Sequence, residues 1–297
     1  MRLLNAVLVY GRMIKFSHSI FALPFALSGA ALAASRVGIS AAQIGWIAVA
    51  MVGARSAAMG FNRLADRRID AANPRTQNRE LPRGLVSPVA VTLFVILSSA
   101  VLILAAQQLN PLCFYLSPLA LLILFSYSFT KRFTWASHLV LGLSLGGAPL
   151  GAWIAITGEF ALPPVLLSFG VLAWVAGFDI IYACQDRDFD VDSGLHSLPV
   201  WLGIGRALQV ARLLHVLAVV LLLFPGRLMG LQWLYLTGIV AVAGLLLYEH
   251  RLVRVDDLSK LGMAFFTMNG IISVIYFAFT LADLLLLGNR EILLSRF

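Results

Sequence analysis

Amide and carboxylate side chains at four-residue spacing form the first candidate site. In the stretch N-R-L-A-D-R-R-I-D, residues 62–70, helical geometry would place Asn62, Asp66 and Asp70 on one face. Carboxylates stacked in this way repel each other unless a cation lies between them. Their oxygens suit Mg²⁺, which usually joins one or two protein carboxylates to substrate phosphates. The spacing therefore predicts a site for Mg²⁺ and a diphosphate.

A second acidic motif, D-I-I-Y-A-C-Q-D-R-D-F-D at 179–190, repeats the pattern. Its polar side chains are spaced three, four and four residues apart and would again share a helix face: Asp179, Tyr182, Asp186 and Asp190. The last two lie 120 residues after Asp66 and Asp70. We interpret 60–84 and 177–199 as pseudo-repeated segments. Pseudo-symmetric halves would bring the two acidic stripes face to face over a central cavity.

The elements that carry these motifs are membrane-spanning helices. The chain is 60% hydrophobic and only 12% charged, whereas soluble domains contain roughly 25% charged residues. It has no ten-residue alternation typical of a membrane barrel, so the fold class is all-α. Pro225-Gly226 is interpreted as a joint between two spans. Nine spans are predicted at 17–34, 41–61, 88–107, 112–129, 138–157, 164–183, 206–224, 232–250 and 262–287.

Basic residues predict the orientation of these spans. They are concentrated in the N-terminal segment and in every second loop, while the other loops carry one or none. Because cytoplasmic loops are enriched in Lys and Arg, the N-terminus and both acidic loops are expected in the cytoplasm. The net charge of +8 is thus attributed to topology, and no nucleic acid partner is predicted. The first span is interpreted as a retained helix, and residues 1–297 as one transmembrane domain.

The two acidic motifs resemble those of the UbiA superfamily of intramembrane prenyltransferases. Its motifs, N-x-x-x-D-x-x-x-D and D-x-x-Y-x-x-x-D-x-x-x-D, both match. The blocks N-P-R-T-Q-N-R-E-L-P-R-G, Y-S-F-T-K-R-F-T and G-L-H-S-L-P are also similar to family blocks. The resemblance spans about residues 12–205 and implies a nine-helix bundle around a central cavity.

This resemblance also implies an activity. A polyprenyl diphosphate would enter from the lipid bilayer, with its head held by Mg²⁺ and its tail in an apolar tunnel. Ionisation of the allylic C–O bond would give a cation that alkylates an aromatic ring in quinone biosynthesis. The acceptor predicted is 4-hydroxybenzoate, and 1,4-dihydroxy-6-naphthoate of the menaquinone pathway is the alternative. The expected location is a bacterial cytoplasmic (inner) membrane.

The resemblance assigns roles residue by residue. The Mg²⁺ ligands would be Asn62, Asp66, Asp70, Asp186 and Asp190. Asp179, with Asp66 and Asp186 as the other catalytic residues, would orient or deprotonate the acceptor. The substrate-binding residues would be Lys15, Arg75, Arg79, Tyr127, Lys131, Arg132 and Tyr182. Many family members carry Arg where this chain has Lys15, and Lys binds phosphate as a point charge rather than bidentately.

Several residues also have ordinary structural explanations. Asp188 and Asp192 fall off the acidic stripe and are expected to be solvated. Arg55 could pair with a carboxylate or reach the cavity. The histidines are expected to be hydrogen-bonded in their blocks or to lie at membrane interfaces: His18, His196, His138, His215 and His250.

Two other classes of membrane protein are alternatives to a prenyltransferase. A secondary transporter would also have repeated halves, but its acidic residues are expected near mid-span. A CDP-alcohol phosphotransferase would carry D-G-x-x-A-R, which does not occur in this sequence.

Overall fold

The computed structural model describes residues 3–15 and 21–288, and within them it contains helices and no β-strand. The predicted all-α class is therefore confirmed. A 3-10 turn at Cys184–Asp186 and a π-helical turn at Met263–Met268 interrupt the α-helices. The α-helices are α1 (Leu3–Met13), α2 (Leu23–Val37), α3 (Ala41–Ala65), α4 (Arg67–Ala72), α5 (Pro88–Leu109), α6 (Pro111–Thr130), α7 (Ser137–Thr157), α8 (Leu162–Ala183), α9 (Arg187–Asp192), α10 (Leu198–Leu228), α11 (Trp233–Leu252) and α12 (Asn269–Leu286).

The helices are those of an integral membrane protein. Eight helical segments of the described chain are long and apolar enough to cross a bilayer. The first predicted span, 17–34, corresponds to α2, a shorter apolar helix of 15 residues. Its first residues and His18 lie outside the described residues. The count of nine spans therefore stays a prediction.

Proline residues mark most, but not all, of the helix boundaries. Helices α5, α8 and α10 begin with proline in their first turn, where the missing N–H costs no intrahelical hydrogen bond. The prediction of a joint at Pro225-Gly226 is wrong, because α10 continues to Leu228. The hydroxyl of Tyr235 donates to the carbonyl of Leu222 in the last turns of α10.

The described chain forms two compact units. The first contains α1 and residues 45–129, which include most of α3 and all of α4 and α5. One of its cores joins α1, the loop before α5, and α5 itself through Met13, Leu81, Val86, Val91 and Val95. This core fixes the end of α1 beside the segment that follows the first acidic motif.

The second unit contains α2 and the chain from residue 130 onwards. Helix α8, which carries the start of the second acidic motif, packs against α7 and α10. More of its apolar segment is buried than that of any other spanning helix in the described chain. Glycines of α7 allow α7 and α8 to pack closely, since Cβ atoms on Gly142 and Gly146 would overlap the α8 backbone.

A glycine-to-alanine substitution tests the close crossing of α2 and α7. A Cβ on Gly29 would overlap the backbone carbonyl of Pro149, whereas one on Gly147 meets open space. We expect Gly29→Ala to destabilise the protein by about 1–3 kcal/mol, because backbone atoms cannot yield as a side chain can. Gly147→Ala is the matched control and should leave thermal unfolding in detergent unchanged. Equal unfolding temperatures for the two variants would contradict this crossing.

Candidate active site

The first acidic motif does not lie on one continuous helix, contrary to the prediction. Helix α3 ends at Ala65 and α4 begins at Arg67, because Asp66 between them has φ −91° and ψ 5°. Backbone hydrogen bonds nevertheless continue at four-residue steps. The Asp66 N–H donates to the Asn62 carbonyl at 2.9 Å, and the Asp70 N–H donates to the Asp66 carbonyl at 2.7 Å. The break therefore bends the helix without scattering the three polar residues.

The second acidic motif breaks at the corresponding residue. Helix α8 ends at Ala183, the 3-10 turn follows, and Asp186 has φ −96° and ψ 0° before α9 begins. Asp66 and Asp186 thus share one backbone conformation, which lies in the sparsely populated bridge region. The interpretation of the two segments as copies stays a prediction.

Asp66 and Asp70 are both buried, yet they have different partners. The Asn62 amide nitrogen donates to Asp66 Oδ2 at 3.1 Å. Arg79 Nη1 lies 2.7 Å and 2.8 Å from the two carboxylate oxygens of Asp70. Arg63 Nη1 is 3.9 Å from the same carboxylate. Two guanidinium groups thus compensate the charge of Asp70.

The loop after α4 is built to bring Arg79 back to Asp70. The Asn73 side-chain oxygen accepts the Arg75 N–H at 2.8 Å, an Asx-type turn. The Thr76 hydroxyl donates to the Asp70 carbonyl at 3.0 Å. These bonds and backbone hydrogen bonds between neighbouring residues fold the sequence N-P-R-T-Q-N-R into consecutive turns. Arg75 is exposed and Arg79 is half-buried on this loop.

Two arginines of α3 hold the end of α1 and thereby Lys15. Arg63 Nε donates to the Met13 carbonyl and Arg55 Nη2 donates to the Lys15 carbonyl, each at 3.1 Å. Cationic donors stabilise the carbonyl end of a helix. Arg55 therefore binds a backbone carbonyl in this structure. Lys15 itself has φ 48°, in the left-handed region.

Lys15 is surrounded by positive charge. Burial, and after it the neighbouring charges of Arg79, Arg63, Arg75 and Arg55 in that order, together lower the pKa of its ammonium group from 10.5 to about 8. A cluster of cations that repel one another is favourable only when an anion neutralises it. Lys15 and these four arginines form the cationic cluster of the first unit.

In the second unit, Asp179 is hydrogen-bonded to a histidine of α7. Asp179 Oδ2 lies 2.7 Å from His138 Nδ1. The Leu198 N–H donates to His138 Nε2 at 3.2 Å. His138 is buried, while the Asp179 side chain retains 18% exposure. The imidazole thus connects the first residue of the second acidic motif to the first residue of α10.

The loop between α9 and α10 is attached to the loop before α7. The His196 N–H donates to the Lys131 carbonyl at 2.7 Å, and the Leu195 N–H donates to the Asp190 carbonyl at 2.8 Å. The segments Y-S-F-T-K-R-F-T and G-L-H-S-L-P are therefore in contact. Lys131 is half-buried and Arg132 is exposed.

Two aromatic residues that flank Asp179 in the sequence pack on Phe265 in the second unit. The ring of Tyr182 stacks on that of Phe265, with centroids 4.0 Å apart. Phe178, next to Asp179, meets Phe265 edge-on at 5.3 Å. Phe265 lies in the π-helical turn, where the side-chain amide of Asn269 donates to the Ala264 and Phe265 carbonyls. Such a cluster of ring faces can stabilise a carbocation.

The remaining predicted site residues differ in their exposure. Tyr127 in α6, Asp186 at the 3-10 turn and Asp190 in α9 are all half-buried. Asp188 is highly exposed and lies 3.0 Å from Arg187. Asp192 is exposed as well, so both have the solvated positions predicted for them. The facing of the two motifs across a cavity stays a prediction.

The donor atoms fit Mg²⁺. The described residues contain no cluster of three or more His, Cys, Asp or Glu side chains. Mg²⁺, however, needs only one or two carboxylates, completed by amide, water and phosphate oxygens. Asp66 with the Asn62 amide provides hard oxygen donors of this type. Asp70, in contrast, is engaged by Arg79.

The contact between His138 and Asp179 was not predicted, because 41 residues separate them. His138 was expected only to lie at a membrane interface. The one available signal was a polar ring at the start of an apolar span. The phenylalanines Phe178 and Phe265 were missed too, because aromatic residues are common throughout the spans.

Comparisons with known proteins agree on one family. Residues 22–271 match the model of the UbiA prenyltransferase family. A 4-hydroxybenzoate octaprenyltransferase of Tolumonas auensis is 32% identical over 228 residues, which cover 77% of this chain and 79% of the relative. One from Vibrio cholerae serotype O1 is 36% identical over 216 residues, which cover 72% and 75%.

Solved structures show the same fold. The apo structure of a UbiA homologue from Aeropyrum pernix K1 has 35% sequence identity and a TM-score of 0.80, and the match covers 90% of this chain and 98% of that one. A UbiA homologue from Archaeoglobus fulgidus, bound to DMAPP and Mg²⁺, has 20% identity and a TM-score of 0.71, with 93% and 99% covered. The chain therefore belongs to the UbiA prenyltransferase family.

Proposed function

We propose that this protein transfers a polyprenyl group from a polyprenyl diphosphate to an aromatic acceptor, 4-hydroxybenzoate, in quinone biosynthesis. The observation that carries the proposal is the identity of 32% and 36% with 4-hydroxybenzoate octaprenyltransferases over about three quarters of each chain. Both acidic motifs of the family are present. Family membership makes this chain a prenyltransferase and sets aside the transporter.

The cationic cluster of the first unit would bind the diphosphate. Arg79, Arg75 and Lys15 would contact phosphate oxygens, and Arg63 and Arg55 would hold the end of α1 in place. Charge-assisted hydrogen bonds from guanidinium groups are strong and geometrically specific for phosphate. Such donors also stabilise the charge that develops on the leaving diphosphate.

The proposed Mg²⁺ ligands are the amide and carboxylate residues of the two motifs: Asn62, Asp66, Asp70, Asp186 and Asp190. When bound, Mg²⁺ neutralises charge on the diphosphate as a Lewis acid. Asp70 would have to exchange its contact with Arg79 for this role. The Archaeoglobus fulgidus homologue solved with DMAPP and Mg²⁺ supports the presence of this metal beside a prenyl diphosphate.

The second unit would position the acceptor. Asp179, half-buried beside aromatic rings, would accept a hydrogen bond from the acceptor hydroxyl and take up its proton. Tyr182 and Tyr127 would face the allylic cation. Lys131 and Arg132 would bind the acceptor carboxylate. We further propose that the N-terminus and both acidic loops face the cytoplasm of a bacterial cell, as the distribution of basic residues indicates.

A prenyl-transfer assay in membranes tests this function. The protein is supplied with geranyl or a longer polyprenyl diphosphate, Mg²⁺, and either 4-hydroxybenzoate or 1,4-dihydroxy-6-naphthoate. We expect prenylated hydroxybenzoate, and no product after EDTA treatment until Mg²⁺ is restored. If product formed only from the naphthoate, the proposed acceptor would be wrong, but the protein would still be an aromatic prenyltransferase. No product from either acceptor, with protein that still binds the diphosphate, would contradict the proposal.

The low pKa of Lys15 predicts a pH-dependent affinity for the diphosphate. Bound diphosphate favours the charged form of the Lys15 ammonium group. The affinity for the diphosphate should therefore be highest below pH 8, where Lys15 is protonated, and should fall by up to about tenfold per pH unit above pH 8. The ligand itself stays fully ionised there, because its last pKa is about 6. Lys15→Arg keeps its charge and should flatten the profile. Binding of geranyl diphosphate at constant Mg²⁺ between pH 7 and 9.5 measures both, and identical profiles would contradict the assignment.

A further inference from the structure

The hydrogen bonds of His138 determine which of its nitrogens carries the proton. The Leu198 backbone N–H can only donate, so His138 Nε2, 3.2 Å away, must accept. An imidazole with an unprotonated Nε2 carries its proton on Nδ1. Nδ1 therefore donates to Asp179 Oδ2 at 2.7 Å. The first residue of α10 thus selects the tautomer that Asp179 requires.

The surroundings of His138 restrict the orientation of its ring. The ring is buried at 3% exposure, and its two nitrogens have partners on α8 and at the start of α10. Asp179 is partly exposed, and His138 engages only its Oδ2. A hydrogen bond to Oδ2 fixes the rotation of the Asp179 carboxylate and therefore the direction in which Oδ1 points. A base held by a second hydrogen-bonded group in this way needs no reorientation during the reaction.

We propose that His138 is a positioning residue for Asp179: through its Nδ1–H it orients the carboxylate that receives the acceptor hydroxyl, and the Leu198 N–H holds it in the required tautomer. This inference rests on the proposed function, in which Asp179 meets the acceptor. His138 itself touches neither substrate. It should therefore affect the use of the acceptor and not the binding of the prenyl diphosphate.

Two amide substitutions separate the two hydrogen bonds of His138. The asparagine amide nitrogen takes the place of imidazole Nδ1, so His138→Asn keeps the donor to Asp179 and loses the acceptor for Leu198. The longer glutamine reaches the place of Nε2, so His138→Gln keeps the acceptor for Leu198 and loses the donor to Asp179. Both variants are polar, and each leaves one native hydrogen bond. They form a matched pair.

The proposal predicts opposite outcomes for this pair. His138→Gln should lower kcat/KM for the acceptor by about ten- to hundredfold, the effect of removing a hydrogen bond to a charged group. His138→Asn should stay within a few-fold of the wild type. The Kd for geranyl diphosphate, measured without acceptor, should be unchanged in both. A greater loss in His138→Asn, or full activity in His138→Gln, would overturn the proposal.

A double-mutant cycle tests whether His138 acts through Asp179. In an Asp179→Asn background, His138→Gln should cause no further loss of residual activity, because the carboxylate that it orients is gone. Independent, multiplicative losses would contradict a positioning role. Because single variants could differ in folding, thermal unfolding of all four proteins accompanies the kinetics.

A spectroscopic measurement keeps this test independent of activity. Nitrogen NMR of protein with ¹⁵N-labelled histidine reports the tautomer, and comparison with His138→Asn identifies the His138 signals. We expect a neutral ring protonated at Nδ1 that changes in Asp179→Asn. A ring protonated at Nε2 would overturn the inference even if the wild type proved inactive with every aromatic acceptor. Inactive wild type with the expected tautomer would instead contradict the proposed function alone.

Discussion

Asp66→Asn is expected to lower Mg²⁺-dependent prenyl transfer by at least about a hundredfold, since Lewis-acid stabilisation contributes several kcal/mol. The substitution removes one charge and little else. An asparagine oxygen can still accept the 3.1 Å hydrogen bond from the Asn62 amide. The buried site would thus retain its shape while losing a carboxylate ligand.

The matched control for Asp66→Asn is Asp188→Asn. Asp188 belongs to the second acidic segment but is highly exposed and lies off the stripe, so its loss should leave activity within about twofold, as for most surface substitutions. Initial rates over a range of Mg²⁺ concentrations measure both variants. Wild-type rates for Asp66→Asn at ordinary Mg²⁺ concentrations would remove Asp66 from the metal site.

Arg79→Ala is expected to destabilise the protein by about 3 kcal/mol, the lower end of the range for breaking a buried ion pair. The substitution leaves the Asp70 carboxylate buried without the two contacts of 2.7 Å and 2.8 Å that compensate it. Arg63, at 3.9 Å, compensates only part of this loss. Thermal unfolding in detergent, without substrate, measures the change.

A second substitution separates stability from activity at this pair. In Arg79→Ala/Asp70→Asn the uncompensated charge is gone, so most of the lost stability should return. Activity should not return, because the proposed phosphate donor and a proposed metal ligand are both absent. Equal unfolding temperatures for the single and double variants would show that the ion pair does not support the loop. Recovered activity would contradict both proposed roles.

The amino-acid sequence predicted the features that depend on local composition and spacing. The apolar segments indicated membrane-spanning helices, because about 20 apolar residues are what a bilayer requires. The two acidic motifs indicated the family, because the spacing N-x-x-x-D-x-x-x-D brings together side-chain oxygens that can bind Mg²⁺ and is short enough to recognise in the sequence. The residue types that suit Mg²⁺ and diphosphate could likewise be read without a structure.

The partners of these residues could not be predicted in this way. Asp70 was predicted as a Mg²⁺ ligand, and its contact with Arg79, formed by the turns of the following loop, was not foreseen. Asp66 was placed inside a continuous helix, yet its φ and ψ end α3 and start α4. Both outcomes depend on loop geometry, which helical periodicity does not describe.

Only the tertiary structure decided how the second motif is held. His138 reaches Asp179 because α7 packs against α8, and it accepts from Leu198 because α10 begins beside the same ring. These contacts join residues that are 41 and 60 positions apart in the chain. The sequence by itself determined the family, the membrane setting and the chemistry of the motifs. Packing between distant helices decided the hydrogen-bond partner and orientation of Asp179, because a buried polar group takes its partner from whichever element lies against it.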